Sequence, residues 1–317
     1  MNSDAVSPVT VVIPCHTERR WASLVRAVES AKAQDPAPSE IVVVVDHNAR
    51  LYDKAAHELD GVTVLANRFR RGVAGTRNTG AFHAITPLVA FLDDDARAHA
   101  GWLAGLLAPF ADRTVVGTGG AVLPAWSGDG RPAWFPDEFL WTVGASHTRM
   151  PAETAPAPEV WCAGMAVRRE SFLAVGGFRE TYGRVTDRVL ARDAELCRRM
   201  AEQGGTWMFV PGARVHHPVG ADRMTFRHFL RRCFREGQLV AVSGGGHLRL
   251  ALPGALTRHL RRAMTGGGSG ALRRAGAVAA GATAAAAGGL LELTTRQPTP
   301  LPVPARPAPK ITAGVRR

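Results

Sequence analysis

The chain has 317 residues, 46% apolar and 21% charged, which is enough for one large domain or two modest ones and excludes a low-complexity or fibrous class. Its four cysteines, Cys15, Cys162, Cys197 and Cys233, form no pair at metal-ligand or redox spacing, which points to buried thiols in a reducing compartment and excludes a disulfide framework. The formal charge of +12 is uneven: residues 1–220 carry 23 Lys/Arg against 24 Asp/Glu, residues 221–317 carry 16 against 3. A near-neutral body thus bears a cationic appendage suited to an anionic partner, nucleic acid or acidic lipid, unless it is simply a solvated arginine-rich tail.

The N-terminus, MNSDAVSPVTVVIPC, is polar and has no basic stretch leading into an apolar one, so no secretory signal is expected and cytoplasmic placement follows. Val9–Pro14, Ile41–Val45, Val62–Ala66 and Leu88–Leu92 are continuous apolar runs, the pattern of strands covered on both faces. Between the first two, Trp21, Leu24, Val25 and Val28 recur at helical spacing, and Pro36–Ser39 ends that helix. Strands alternating with helices predict an α/β fold, a mainly parallel sheet flanked by helices. The loops after its strands share one edge, where ligands of open α/β sheets bind.

From Pro124 to Pro158 periodicity gives way to Pro, Trp and Gly, a length that predicts a functional loop or lid. Order resumes at Val160–Val167. A helix over Arg169–Val175 follows, stopped by Gly176 and Gly177, then one from about Arg192 to Gln203. Trp207–Val210 and Arg214–His217 read as two short strands. Thr225–Val240 is an amphipathic helix with Phe226, Phe229, Leu230, Cys233 and Phe234 opposite Arg227, Arg231, Arg232 and Arg235. After a glycine-rich linker at Gly266–Gly270, Ala275–Leu291 is uncharged, at the lower length limit for a membrane helix, and reads as a packed or surface-lying helix. The last twenty residues, rich in Pro and Arg, predict disorder. The expected units are an α/β domain over 1–220, a basic helical region over 221–265, and a Gly/Ala-rich helix with its tail over 266–317.

Asp93, Asp94 and Asp95 follow the apolar strand Leu88–Leu92 directly. Three carboxylates at a buried strand end repel one another unless a cation intervenes, and hard divalent ions take such oxygens together with substrate phosphates. A helix cap or turn accounts for one aspartate, not for three. Asp46, at the end of Ile41–Val45, falls on the same edge. In RRGVAGTRNTG, residues 70–80, glycines let backbone N–H groups approach phosphate and Arg77 adds a charged fork. The segment is neither a P-loop nor a dinucleotide fingerprint. Asp193, opening a helix within RDAEL, is either a general base or a dipole-compensating cap.

The order VTVVIPCHTERR, VVVVDHNA, RGVAGTRNTGA, VAFLDDDA, CAGMAVRRESFLAVGGF, RDAELCRRM and PGARVHHP, over residues 8–220, resembles the family 2 glycosyltransferases. VVVVDHN, RNTG and the later FLRRCFREG resemble the subgroup acting on lipid-linked or cell-envelope sugars. The resemblance implies a GT-A (nucleotide-diphospho-sugar transferase) fold and an inverting transfer to an acceptor hydroxyl. By the same resemblance, Pro14 and the loop after it line the nucleotide site, Asp46 contacts the base, and Arg77 lies by the phosphates. It gives Asp93 and Asp94 to the donor, Asp95 with Asp93 to an Mg²⁺ or Mn²⁺ ion completed by His217 or His216, and the catalytic base to Asp193. Trp161, Gly164 and Met165 fall in the acceptor loop, where Gly164-Met165 replaces the family's Gly-Asn; Arg192 replaces the Glu of its Glu-Asp pair. Asp187 and Glu195 are further carboxylates within reach of the same role. The implied partners are a uridine or guanosine diphosphate sugar, a saccharide or lipid-linked acceptor, and an anionic membrane at the inner face of the cell. Two other classes remain open from the residues: a nucleotidyltransferase, which usually needs a Gly- and Lys-rich loop where CHTERR stands, and a nucleic-acid-binding protein, which leaves the three aspartates unexplained.

Overall fold

The computed structural model describes residues 7–147, 150–180, 192–243, 252–265 and 268–295. The first half alternates strictly: β1 (Val9–Cys15), α1 (Trp21–Lys32), β2 (Glu40–Val45), α2 (Ala49–Glu58), β3 (Thr63–Ala66), α3 (Val73–His83) and β4 (Leu88–Leu92). Then come β5 (Arg97–Ala98), α4 (Trp102–Leu107), β6 (Val115–Trp126), β7 (Ala155–Pro156), β8 (Gly164–Arg168), α5 (Arg169–Ala174), α6 (Arg192–Glu202) and β9 (Thr206–Val219). Three helices close the described chain: α7 (Phe226–Ser243), α8 (Leu252–Met264) and α9 (Gly268–Thr295). Asp187 and the Pro/Arg-rich tail lie outside the described residues.

The sheet runs β3-β2-β1-β4-β8-β6-β9-β5, with β7 beside β9. Its first four strands are parallel, as their continuous apolar runs require, and β1 and β4 are buried along their whole length. Beyond β4 the sheet is mixed: β8 is antiparallel to both β4 and β6, while β6 and β9 run parallel. The expectation of a mainly parallel sheet therefore describes its N-terminal half. The chain leaves β1 for β2 on one side and returns to β4 on the other, so the switch point lies above the C-terminal ends of β1 and β4. Helix α1 buries Leu24, Ala27, Val28 and Ala31 at offsets 0, 3, 4 and 7, closing one face of the sheet.

Three sequence expectations change in the folded chain. The two short strands expected at Trp207–Val210 and Arg214–His217 are one strand, β9. Their apparent break survives as an irregularity where Gly120-Ala121 of β6 meets Val210 and Arg214; a Cβ at Gly120 would collide with the Ala213 carbonyl. The segment Pro124–Pro158 is largely core. Phe135, Phe139, Trp141 and Val143 are buried with Phe229 and Cys233 of α7 and Ala277, Val278 and Ala285 of α9. Buried Glu138 there receives His259 (3.1 Å) and Arg258 (3.2 Å) from α8. Last, α9 is 28 residues long and begins inside the expected linker, because Gly and Ala there serve close packing: a Cβ at Gly288 would strike the Phe234 carbonyl. By length and composition α9 could cross a membrane.

Candidate active site

The switch point gathers most of the charged residues singled out above. Asp93, Asp94 and Asp95 leave the end of β4, and Arg20, just beyond the β1 loop, reaches across. Its Nη1 lies 2.9 Å from Asp94 Oδ1 and 3.0 Å from Asp95 Oδ2. From β9, His217 Nε2 lies 3.3 Å from Asp95 Oδ1. The neighbouring His216 points to the other side of the strand and packs edge-on against His99, ring centres 4.4 Å apart. Strand alternation thus selects His217 from the His-His pair.

Burial and repulsion act differently on the three carboxylates. Burial pushes Asp94 up to about 6, Arg20 opposing and Asp95 and Asp93 adding to the rise. Burial also opposes the charge on Asp95, but the hydrogen bond and charge of His217, with Arg20 and Arg223, hold it below the usual carboxylate range. His217 is raised in turn: burial resists its charge, and the hydrogen bond and charge of Asp95 outweigh it.

One ligand atom each from Asp93, Asp95 and His217 can lie within 4.8 Å of the others. His217 Nδ1 and Asp94 Oδ2 are buried without a hydrogen-bond partner. Two carboxylates and an imidazole suit a divalent cation, and the orphaned atoms mark a place where polar groups await something this chain does not supply. The residues fit the ion.

Arg77, on α3, joins this cluster to the candidate base. It is buried, with Nη2 2.6 Å from Asp93 Oδ1 and Nη1 3.8 Å from Asp193 Oδ1. Asp193 opens α6 and takes the Cys162 backbone N–H on Oδ2 at 3.0 Å. That turn also carries Trp161, half-buried and edge-on to His147, and Gly164, where a Cβ would crowd Val215. The Met165 side chain is fully buried in the core, so any acceptor contact at Gly164-Met165 falls to the main chain. Glu195 is committed elsewhere: Arg199 clasps it through two bonds of 2.6 and 2.9 Å, both partners buried, and also donates to the Val175 and Gly177 carbonyls.

Asp46 stands at the end of β2, on the rim of a cleft of about 440 Å³ lined also by His16, His47, Asn48, Ala49, Arg50 and Arg71. Its Oδ1 accepts from Asn67 Nδ2 (2.7 Å) and its Oδ2 from the Gly72 N–H (2.8 Å), fixing the loop before α3. His47 holds a left-handed φ of 48°, uncommon for a residue with a side chain and a frequent mark of functional loops. Pro14 is buried within β1, two residues before His16. The glycines of RRGVAGTRNTG have a different task from the one their spacing suggests: a Cβ at Gly80 would drive into Val12, and one at Gly75 into the Arg70 carbonyl. They seat α3 on β1 and on its own loop, which is how Arg77 comes to be buried beside Asp93. Arg20 and Arg223 were not singled out in the sequence; only the position of Arg20 in the loop after β1 hinted at the former.

A family profile described as "Glycosyl transferase family 2" matches residues 10–176, more than half of the chain. The chain belongs to glycosyltransferase family 2. The glucosyl-dolichyl phosphate glucuronosyltransferase of Haloferax volcanii is 32% identical over 235 residues, 72% of this chain and 75% of that protein. The pre-mycofactocin glycosyltransferase of Mycobacterium tuberculosis is 30% identical over 245 residues, 74% of this chain and 47% of that protein. Among solved structures, GalNAc-T7 with UDP, GalNAc and Mn²⁺ superposes at a TM-score of 0.54 with 20% identity, covering 77% of this chain and 52% of that one. The mannosyltransferase PcManGT from Pyrobaculum calidifontis, with GDP-Man and Mn²⁺, gives 0.51 with 18% identity, covering 92% and 76%. This family 2 member has the GT-A fold and is a nucleotide-sugar-dependent glycosyltransferase.

Proposed function

We propose that this glycosyltransferase moves a sugar, with inversion, from a uridine or guanosine diphosphate to a hydroxyl of a lipid-linked or cell-envelope saccharide. The observation that carries the reading is the Asp93–Arg77–Asp193 chain, which ties the carboxylate cluster to a second carboxylate across one buried guanidinium. The cleft rimmed by Asp46 takes the nucleoside, and Asp93 and Asp94 face the diphosphate. Asp93, Asp95 and His217 would hold the divalent ion. When bound, it supplies Lewis-acid stabilisation of the departing diphosphate, a contribution of several kcal/mol. The imidazole in that set favours Mn²⁺ over the harder Mg²⁺.

The carboxylate of Asp193 does the proton work. Its Oδ2 is occupied by Cys162, which leaves Oδ1 to take the acceptor proton as the hydroxyl oxygen attacks the anomeric carbon. The bond from that carbon to the diphosphate breaks, and the nucleoside diphosphate leaves with the electron pair. Arg77, held between Asp93 and Asp193, fixes their separation and offsets negative charge as the leaving group departs. Trp161 offers an aromatic face to the acceptor, and the basic C-terminal helices favour work at the inner face of an anionic membrane.

The test is release of nucleoside diphosphate from a panel of UDP- and GDP-sugars, with a prenyl-phosphate saccharide as acceptor, in EDTA and with Mn²⁺ restored. Dependence on both acceptor and Mn²⁺, with an inverted linkage by NMR, is the expected result; metal-independent transfer or a retained anomer would sink the reading.

A further inference from the structure

The outer face of α9 runs against the habit of surface helices. Its inner face is fixed by interlocking small residues: Gly281 leaves no room for a Cβ beside Phe229 and Phe139, and Gly288 none beside the Phe234 carbonyl. The face left outward should therefore carry charge. It carries none between residues 275 and 291. Leu272, Ala279, Ala286, Leu290 and Leu293 fall at offsets 0, 7, 14, 18 and 21, all exposed, a stripe of about 32 Å at 1.5 Å per residue. Leu272, Leu290 and Leu293 are 60–65% exposed, and at the adjoining end of α8 Met264 is 81% and Leu260 41% exposed.

The charge around this stripe has one sign. Arg258, Arg261, Arg262 and Arg273 are exposed at the α8–α9 corner, and the single acid among described residues 252–295, Glu292, is buried. Exposed leucines bordered by arginines without acids match a surface that offers apolar depth beneath negative headgroups. Nucleic acid would meet the arginines and leave the leucines in water. Because α9 is already packed on α7 along its inner side, it has one free face to give, which suits lying on a bilayer.

We infer that the outer stripe of α9, with the α8–α9 corner, is the surface by which this enzyme docks on an anionic lipid bilayer. The inference deepens the reading of a lipid-linked acceptor and rests on it only for the purpose of docking; binding is scored apart from transfer, so either can fail alone.

The experiment is co-sedimentation of the full chain with vesicles of phosphatidylcholine alone or mixed with phosphatidylglycerol, at low and high salt. Binding to the anionic vesicles, weakened by salt, is expected. Leu272→Ser/Leu290→Ser/Leu293→Ser should lower the partition at least tenfold. Arg261→Gln/Arg262→Gln/Arg273→Gln should lower it about a hundredfold, at roughly fivefold per basic residue. Both triple variants should keep the wild-type melting temperature and nucleotide release with a soluble acceptor, which certifies their fold. Three results overturn the inference: wild-type protein that ignores anionic vesicles, vesicle binding untouched by the leucine variant, or duplex DNA that competes vesicles away equally from both. Self-association lost in the leucine variant, without vesicle binding, would assign the stripe to a second copy and overturn it as well.

Discussion

Replacing Asp193 by asparagine separates catalysis from support, because the structure assigns the two carboxylate oxygens different work. Oδ2 accepts the Cys162 N–H at 3.0 Å, a bond the asparagine carbonyl can keep. Oδ1 faces Arg77 at 3.8 Å with a quarter of the side chain exposed, a loose ion pair worth up to about 1 kcal/mol. Asp193→Asn should therefore melt within about 2–4 °C of wild type. Loss of a general base typically removes a factor of 10²–10⁴ in turnover, about 3–5 kcal/mol of barrier. Nucleotide-sugar affinity, which Asp193 does not touch in this scheme, should hold. Glu195, two residues along α6, should give the reverse pattern. It is buried and bidentate with Arg199, so Glu195→Ala strands a buried guanidinium at a cost of about 3–5 kcal/mol. The assays are thermal melting, titration of the donor followed calorimetrically, and initial rates of nucleoside diphosphate release at saturating acceptor. An Asp193→Asn enzyme that turns over within tenfold of wild type, with its fold intact, refutes the assignment of the base.

Three further outcomes follow from the charges at the switch point. His217, raised by Asp95, must shed its proton to bind a metal, so Mn²⁺ affinity of the metal-free protein should climb with pH through that titration. Calorimetry in buffers of different ionisation enthalpy should read proton release in wild type and none in His217→Ala; no release in wild type would remove His217 from the ligand set. Asp94 has the opposite linkage from a salt-bridged acid: its folded value, about 6, lies above the ordinary one, so its contribution to stability is greatest below about pH 4 and is lost as pH rises to 6. In EDTA, Asp94→Asn should gain on wild type across that window by an amount on the order of 3 kcal/mol, and a melting-temperature difference flat in pH would contradict this. Asp46→Asn turns an amide donor toward either Asn67 Nδ2 or the Gly72 N–H, which costs about 1–3 kcal/mol. The loosened cleft should bind UDP and GDP at least tenfold more weakly while Mn²⁺ binding is unchanged; undiminished nucleotide affinity would clear Asp46 of that role.

The parallel half of the fold was legible because its strands are buried on both faces and so have little choice of composition. Val9–Cys15 and Leu88–Leu92 could hardly be anything but central strands, and the aspartates that end the second inherit their place from the topology. The mixed half was less legible. β6 contains Gly117, Gly119 and Gly120, each of which makes room for a neighbour: Trp207, Val160 and the Ala213 carbonyl. Glycine chosen for close approach reads, in one dimension, as a break. The same ambiguity hid the character of Pro124–Pro158, whose aromatic residues look like an exposed recognition loop until α7 and α9 are laid over them.

The Arg77 segment shows why site residues can be found for an incomplete reason. Arginine amid glycines and small polar residues suggested backbone N–H groups turned toward phosphate, with the side chain as an added fork. In the folded chain the one glycine N–H with a stated partner, that of Gly72, is spent on Asp46, while Gly75 and Gly80 let a helix sink against β1. The charge is then delivered from beneath the site, buried and oriented, and two carboxylates far apart in sequence, Asp93 and Asp193, are set by one rigid fork. A lysine there would carry the same charge on a flexible stem with a single head, and could not hold both acids in register. Arg77→Lys is accordingly expected to bind nucleotide and yet lose turnover by at least tenfold, since a misplacement of about 1 Å in a reacting group can cost a hundredfold. If Arg77→Lys keeps wild-type turnover, charge alone suffices at this position and the geometric account of the site is wrong.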